Sequence, residues 1–184
     1  MPVPAYPPGN SFHVKVRDET VVIPWRINHP EPAAGVAHAL TATQRMILHC
    51  LYSRHHDGWI RQRHVEQIVA STEPWVVPFV VQLVGEYVLE IVQTITDGLP
   101  GLAVPHSAER RLYGEFVVQN PSFFALTERR VVSYWTCYYR WQYPDFGSYP
   151  GSVPAEAFLA AASEHAGREW PRHLPRGPRV ATHS

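Results

Sequence analysis

Residues 73–97 read EPWVVPFVVQLVGEYVLEIVQTITD, and this stretch decides the fold. When the residues are placed at 100° intervals, the polar side chains fall in a strip about 80° wide, and most other positions are apolar. The strip consists of Gln82, Glu86, Glu90, Gln93 and Asp97. A helix that is apolar around most of its circumference must be enclosed by other elements. The pattern therefore predicts a central helix over about 73–97, with a kink or a delayed start at Pro78.

Shorter helices are predicted on both sides of the central one, and capping residues mark several of their starts. Thr41 and Gln44 form a capping box, while Ser107 and Thr127 each precede an apolar periodic run. The predicted ranges are about 41–57, 59–70, 107–120, 127–143 and 154–165. These helices, added to the central one, predict a five- to six-helix bundle.

The N-terminal part of the chain has the pattern of strands. Residues 12–17 alternate between apolar and polar, residues 18–20 suit a turn, and residues 21–23 are apolar. This arrangement is typical of a β-hairpin. We therefore expect a mainly α single domain over 12–166 with a small hairpin at 12–27. Residues 1–11 and 167–184 are rich in proline and are expected to be flexible.

Composition excludes several classes of function. The 184 residues carry 16 Lys and Arg against 16 Asp and Glu, so the chain lacks the positive charge typical of nucleic-acid or anionic-membrane binders. The apolar run at 75–81 is far shorter than the ~20 residues that span a bilayer. The start of the chain lacks the pattern of a signal peptide. We expect a cytoplasmic protein that binds neither membrane nor nucleic acid.

Aromatic residues are unusually dense between 134 and 149. At helical spacing, such residues form a core or an oligomer interface more often than a stacking surface for bases or sugars. Tyr and Trp also carry polar groups that favour a boundary over deep burial. The predicted contact residues for a protein partner, or for a second copy in a homodimer, are Trp135, Tyr138, Tyr139, Trp141 and Tyr143.

The polar strip of the central helix, Gln82, Glu86, Glu90 and Gln93, is the best-placed candidate for chemistry. Carboxylates one turn apart on a buried helix can hold a metal or share a proton. A di-metal site of this type also needs Glu-x-x-His motifs on partner helices, and the sequence has none. The other interpretation is that the strip faces solvent or pairs with arginines such as Arg110, Arg111, Arg129 or Arg130.

Histidines cluster between the first two predicted helices, at His55, His56 and His64, beside Asp57. Adjacent residues on a helix point about 100° apart, so His55 and His56 cannot both face one ion comfortably. His64 falls among the apolar positions of its helix and is expected to be a hydrogen-bonded core residue. No metal site is predicted here.

Residues 40–70 resemble the opening of a winged-helix DNA-binding domain, with Arg61 and Arg63 on the second helix. The helix that follows should then be a basic recognition helix, yet it is apolar with an acidic strip. The motifs of nucleotide-binding folds, serine hydrolases and zinc proteases are absent from the sequence.

The sequence therefore favours a non-enzymatic interaction, scaffold or regulatory protein that acts through self-association or a protein partner, without a metal or cofactor. The first alternative is a winged-helix-like DNA-binding regulator that uses Arg61 and Arg63. The second alternative is a helical enzyme that binds a metal or a small molecule through Glu86 and Glu90.

Overall fold

The computed structural model describes residues 10–33, 35–36 and 39–176. Within those residues the chain forms one two-stranded sheet and seven α-helices, which confirms the mainly α domain with an N-terminal hairpin. The elements are β1 Ser11–Val16, β2 Glu19–Pro24, α1 Ala42–Tyr52, α2 Gly58–Ile68, α3 Val77–Val84, α4 Leu89–Gly98, α5 Ala108–Gln119, α6 Pro121–Tyr134 and α7 Ser152–Ala166. A π-helical turn, Trp135–Tyr139, continues α6. None of these helices is long and apolar enough to cross a membrane.

The hairpin is antiparallel, with Phe12 opposite Ile23, and both of these side chains are buried. The side chain of Asn120, between α5 and α6, hydrogen-bonds to the outer edge of β1. Its Oδ1 accepts the backbone N–H of Lys15 at 2.7 Å, and its Nδ2 donates to the Lys15 carbonyl at 2.8 Å. The amide thus occupies backbone groups that an edge strand would otherwise leave unpaired.

Two of the three predicted helix caps are confirmed. Thr41 and Gln44 form the reciprocal capping box of α1, and the Ser107 hydroxyl accepts the N–H of residue 110 at the start of α5. The prediction for Thr127 is wrong, because α6 already begins at Pro121. Proline suits the first turn of a helix, where its missing amide hydrogen costs nothing. It therefore starts α6 rather than only ending α5.

The apolar stretch lies at the centre of the molecule, but it is two helices rather than one. Helix α3 begins at Val77 with Pro78 in its first turn, as the predicted delayed start requires, and all of its residues are buried. It ends at Val84, with Gly85 as the C-cap residue, and α4 begins only at Leu89. The central position is confirmed, and the continuity of the helix over 73–97 is wrong.

At the break over residues 85–88, the chain packs closely against α6. A β-carbon at Gly85 would lie 3.3 Å from the β-carbon of Arg130, so a glycine allows α6 to approach. The amides of Gly85 and Glu86 bond to carbonyls three residues back, which tightens the last turn of α3. As a result the polar strip is divided: Gln82 and Glu86 are buried, and Glu90 reaches the surface with Gln93 and Asp97.

The segment after α7 packs against the domain, in contrast to the flexible tail expected from residue 167. Trp170 and Leu174 are both buried in the core. The N–H of Trp170 bonds to the Ser163 hydroxyl at 3.1 Å. The expectations for residues 1–9 and 177–184 lie outside the described residues. The described domain therefore extends about ten residues further than the sequence pattern indicated.

Candidate functional site

Glu86 is the centre of a buried ion cluster with Arg26, Arg54 and Arg61, named here the arginine cluster. Its side chain is only 2% exposed. Nη2 of Arg26 donates to both carboxylate oxygens at 2.7 Å. Nη2 of Arg61 and Nη1 of Arg54 lie 3.5 and 3.9 Å from the carboxylate. One glutamate of the central break therefore joins the end of the hairpin, the end of α1 and helix α2.

Carbonyl oxygens and one side-chain amide accept further hydrogen bonds from the buried arginines, whereas Nε and Nη2 of Arg61 have no hydrogen-bond partner among the described residues. Arg54 donates to the carbonyls of Pro24 and Trp25 and to the side-chain amide of Gln82. Burial lowers the pKa of Arg54 to about 9, although the charge of Glu86 acts in the opposite direction. Nη1 of Arg61 bonds to the carbonyls of residues 55 and 56, each at 2.8 Å.

This arrangement bears on the proposed use of Glu86 and Glu90 for metal or small-molecule chemistry. Arginines occupy both oxygens of Glu86, and Glu90 lies on the surface of α4. Across residues 10–33, 35–36 and 39–176, no three His, Cys, Asp or Glu side chains converge as metal ligands. The partners of Glu86 also differ from the arginines named from the sequence: Arg110 pairs with Glu164, and Arg130 stacks on Trp25.

Arg61 and Arg63, the candidate DNA contacts, have different environments. Arg61 is buried within the arginine cluster and presents no surface to a nucleic acid. Arg63 is exposed and pairs with Glu31. Helix α3, which would follow as the recognition helix, is entirely buried. The geometry of a winged-helix interface is therefore not formed by these residues.

The five predicted aromatic contact residues divide into two groups, and three of them pack internally. The indole N–H of Trp135 donates to the carbonyl of Tyr143 at 2.8 Å. The hydroxyl of Tyr139 donates to the carbonyl of Tyr87, and its ring stacks on Tyr149 with centroids 5.5 Å apart. These three residues hold the loop after the π-helical turn against the domain.

The other two aromatic residues, Tyr138 and Trp141, project outward. Their exposed fractions are 61% and 83%. The ring centroids of Tyr138 and Tyr134 lie 6.0 Å apart, and those of Tyr134 and Tyr87 lie 5.8 Å apart. The indole N–H of Trp141 bonds to the carbonyl of Tyr138 at 3.1 Å, so the two side chains leave the same turn. Tyr87, Tyr134 and Tyr138 therefore form a row of rings, and the indole of Trp141 lies beside the backbone at its end.

A pocket extends this row at the break between α3 and α4. Its volume is about 290 Å³, and its lining includes Trp59, Tyr87 and Val88 with Glu90. Trp59 is itself 74% exposed. Because Tyr87 belongs both to the pocket and to the row of rings, the whole forms one surface. We name it the aromatic face, and it consists of Trp59, Tyr87, Tyr134, Tyr138 and Trp141.

The histidine cluster of the α1–α2 region has a different membership from the one predicted. His64 is buried, in agreement with the prediction, but its ring contacts His49 Nδ1 at 2.8 Å and Glu31 Oε1 at 2.8 Å. Asp57 caps α2 by accepting the N–H of Trp59. Sequence reasoning missed His49 and Glu31, since no local spacing connects them to His64.

No protein-family model, curated protein or solved structure matches the chain. The functional proposal therefore depends on the aromatic face and on the charges around it.

Proposed function

We propose that the protein is a non-enzymatic interaction protein that associates with a second copy of itself through the aromatic face. The observation that carries the proposal is the exposure of two tryptophans, Trp59 and Trp141, which are linked through the pocket and the row of tyrosine rings. Trp and Tyr are enriched in the central, energetically dominant part of protein interfaces. A contiguous exposed aromatic surface is typical of a docking site.

The area of the aromatic face supports a dimer. An aromatic side chain buries 150–250 Å², so the exposed parts of four such rings would bury on the order of 400–600 Å² per copy. A stable interface needs roughly 800 Å² per partner. The four exposed rings belong to Trp59, Tyr87, Tyr138 and Trp141. Adjacent backbone and polar side chains supply the remaining area.

The shape of the face supports a two-fold arrangement. Trp141 is exposed beside one end of the row of rings, while Trp59 and Tyr87 line a pocket of about 290 Å³ at the other end. A cavity of about 150 Å³ holds a benzene molecule, so an indole ring fits here. A projection and a pocket on one face allow reciprocal insertion in a closed dimer rather than an open chain of copies.

Charge also supports association between identical chains. The chain has no net charge, so two copies do not repel each other at long range. Arg140, the neighbour of Trp141, is exposed, and Glu90 lines the pocket. In a reciprocal dimer, Arg140 approaches Glu90 of the partner subunit as Trp141 enters the pocket.

Sedimentation of the purified full chain tests the proposal. We expect a dimer that dissociates between about 1 and 100 µM. The Trp141→Ala variant should weaken the dimer on the order of ten-fold or more, because truncation of a central aromatic contact removes a dominant part of the binding energy. Trp59→Ala should act in the same direction, because it opens one wall of the pocket.

The matched control is Val104→Ala, which truncates an exposed apolar side chain outside the aromatic face. This variant should dimerise like the parent protein. A parent protein that stays monomeric throughout the concentration range would rule out self-association. Equal dissociation constants for Trp141→Ala and Val104→Ala would place the interface elsewhere.

A further inference from the structure

Two histidines of neighbouring helices face each other through the same ring nitrogen. Nδ1 of His49 in α1 lies 2.8 Å from Nδ1 of His64 in α2. Two unprotonated nitrogens at this distance would oppose their lone pairs, and two protonated nitrogens would oppose their hydrogens. A ring nitrogen either donates or accepts. One proton therefore lies between the two rings.

Glu31 determines which ring donates that proton. Its Oε1 lies 2.8 Å from Nε2 of His64. An ionised carboxylate only accepts, so His64 carries its hydrogen on Nε2. The Nδ1 atom of a neutral His64 is then an acceptor, and His49 must donate from its own Nδ1. The result is a directional chain from His49 through His64 to Glu31, with Nε2 of His49 left unprotonated.

The surroundings keep Glu31 ionised and the two imidazoles neutral. Partial burial raises the pKa of Glu31, but the hydrogen bond from His64 and the charge of Arg63 outweigh it and lower the pKa overall. Burial lowers the pKa of His49, and the charge of Arg45 adds to the effect, as does His64 whenever it is protonated. Burial also lowers the pKa of His64; Glu31 opposes this shift and Arg63 reinforces it.

The chain of hydrogen bonds joins three separate parts of the fold. His49 belongs to α1, His64 to α2, and Glu31 to the segment between the hairpin and α1. Tyr52 reinforces the contact, since its ring stacks on His64 with centroids 5.2 Å apart. Its hydroxyl also bonds to the carbonyl of Pro30 at 2.7 Å. A change in the protonation of the histidine pair would therefore alter the contacts among α1, α2 and the segment that contains Glu31.

We propose that His49 and His64 form a pH-sensitive clasp, in which the proton between the two rings holds α1 against α2 and uptake of two further protons, one by each ring, opens the contact. The first proton enters at Nε2 of His49 and leaves the hydrogen bond between the two Nδ1 atoms in place. The second adds to Nδ1 of His64, so that both Nδ1 atoms carry hydrogens and both rings are positive. The short contact is then lost, and α1 separates from His64 and the Glu31 segment. None of these residues belongs to the aromatic face, so the variants that test the clasp leave the side chains of that face unchanged.

The tautomers of the two histidines provide the first test. Long-range ¹H–¹⁵N spectra of the full chain at pH about 7.5 should show His64 protonated at Nε2 and His49 protonated at Nδ1. The Nδ1-protonated form is the less common one for a neutral histidine side chain in water, which makes the result for His49 diagnostic. A hydrogen on Nε2 and none on Nδ1 of His49 would overturn the proposal.

Hydrogen exchange provides the second test. Between pH about 7.5 and 5, protection of the α1 amides, corrected for intrinsic exchange, should fall about ten-fold or more in the parent protein. In His49→Asn, the amide side chain keeps a donor near the position of Nδ1 but does not titrate. Its α1 protection should therefore stay nearly constant over the same range.

The matched control is His13→Asn, which replaces an exposed histidine of β1 far from the clasp along the chain. It should lose α1 protection on acidification as the parent protein does. Constant α1 protection in the parent protein, or an equal loss in His49→Asn, would contradict the clasp. Should His49→Asn not fold, the tautomer measurement on the parent protein still decides the proposal.

Discussion

Glu86 connects parts of the chain that are distant in sequence. It is the carboxylate partner of Arg26, Arg54 and Arg61, and two of these arginines are fully buried. A buried ion pair is not in itself a strong source of stability, because the charges lose their hydration. Removal of one partner is far more costly, since the remaining charge stays buried without compensation.

The Glu86→Gln variant tests this role at the level of one residue. It keeps the size of the side chain but leaves three arginines around a neutral group. We expect the free energy of unfolding to fall by about 3–5 kcal/mol, measured by urea denaturation. Glu90→Gln is the matched control, because Glu90 lies on the surface one turn further along the predicted strip. Similar losses in the two variants would contradict the assigned role.

Contacts between helices depend on small residues where backbones approach closely. Helices α5 and α7 cross at Gly114, and a β-carbon there would overlap the backbone carbonyl of Ala161. Beside the crossing, the rings of Tyr113 and Phe158 stack with centroids 5.0 Å apart. A backbone group cannot move aside by changing rotamer. The crossing therefore fixes the separation of the two helices.

The Gly114→Ala variant should separate α5 from α7. Alanine favours the helix by up to about 1 kcal/mol, but the overlap with α7 should outweigh this gain and lower the free energy of unfolding by about 2 kcal/mol. Gly147→Ala is the control, since no atom lies within 4 Å of a β-carbon at that position. A Gly114→Ala protein as stable as the control in thermal denaturation would show that the crossing can relax.

The whole domain is completed by the segment after α7, and a buried carboxyl lies beneath it. Glu128 of α6 accepts the N–H of His173 at 3.2 Å, while its second oxygen is buried and has no hydrogen-bond partner among the described residues. Burial raises the pKa of Glu128 to about 7, although the His173 N–H and the charge of Arg172 act to lower it. The contact between Glu128 and the segment after α7 is therefore sensitive to pH.

Glu128→Gln should change how stability depends on pH. The carboxyl titrates near 4.3 in the unfolded chain and at about 7 in the folded protein. The folded state therefore binds more protons between these values, and the stabilising contribution is lost as pH rises. We expect the free energy of unfolding of the variant to increase relative to the parent protein between pH about 5 and 8.

Urea denaturation across this pH range measures that difference. The histidine clasp has the opposite dependence: because its pKa values are lowered, protonation of the unfolded chain destabilises the protein as pH falls. Comparison of each variant with the parent protein at the same pH removes this contribution. Glu66→Gln, at an exposed position of α2, should show no such trend. A pH-independent difference for Glu128→Gln would refute the prediction.

Much of the fold follows from local patterns. The hairpin, the caps at Thr41 and Ser107, and the central apolar stretch were all predicted, because each depends on residues close together in sequence. The break at Gly85 was harder to predict than these elements, because its sign in the sequence is a single glycine within an apolar run. The start of α6 at Pro121 shows that one residue can both end a helix and begin the next.

The sequence by itself determined that residues 73–97 form the centre of a helical domain, since so apolar a stretch must be enclosed. Only the tertiary structure decided that this stretch is divided and that Glu86 faces inward to arginines while Glu90 faces outward. Only the tertiary structure also decided that His49 contacts His64. It likewise decided that Trp141 is exposed while other aromatic residues of its segment are packed. The physical reason is that the partner of a buried charge or ring is chosen by the packing of distant elements, which local periodicity does not encode.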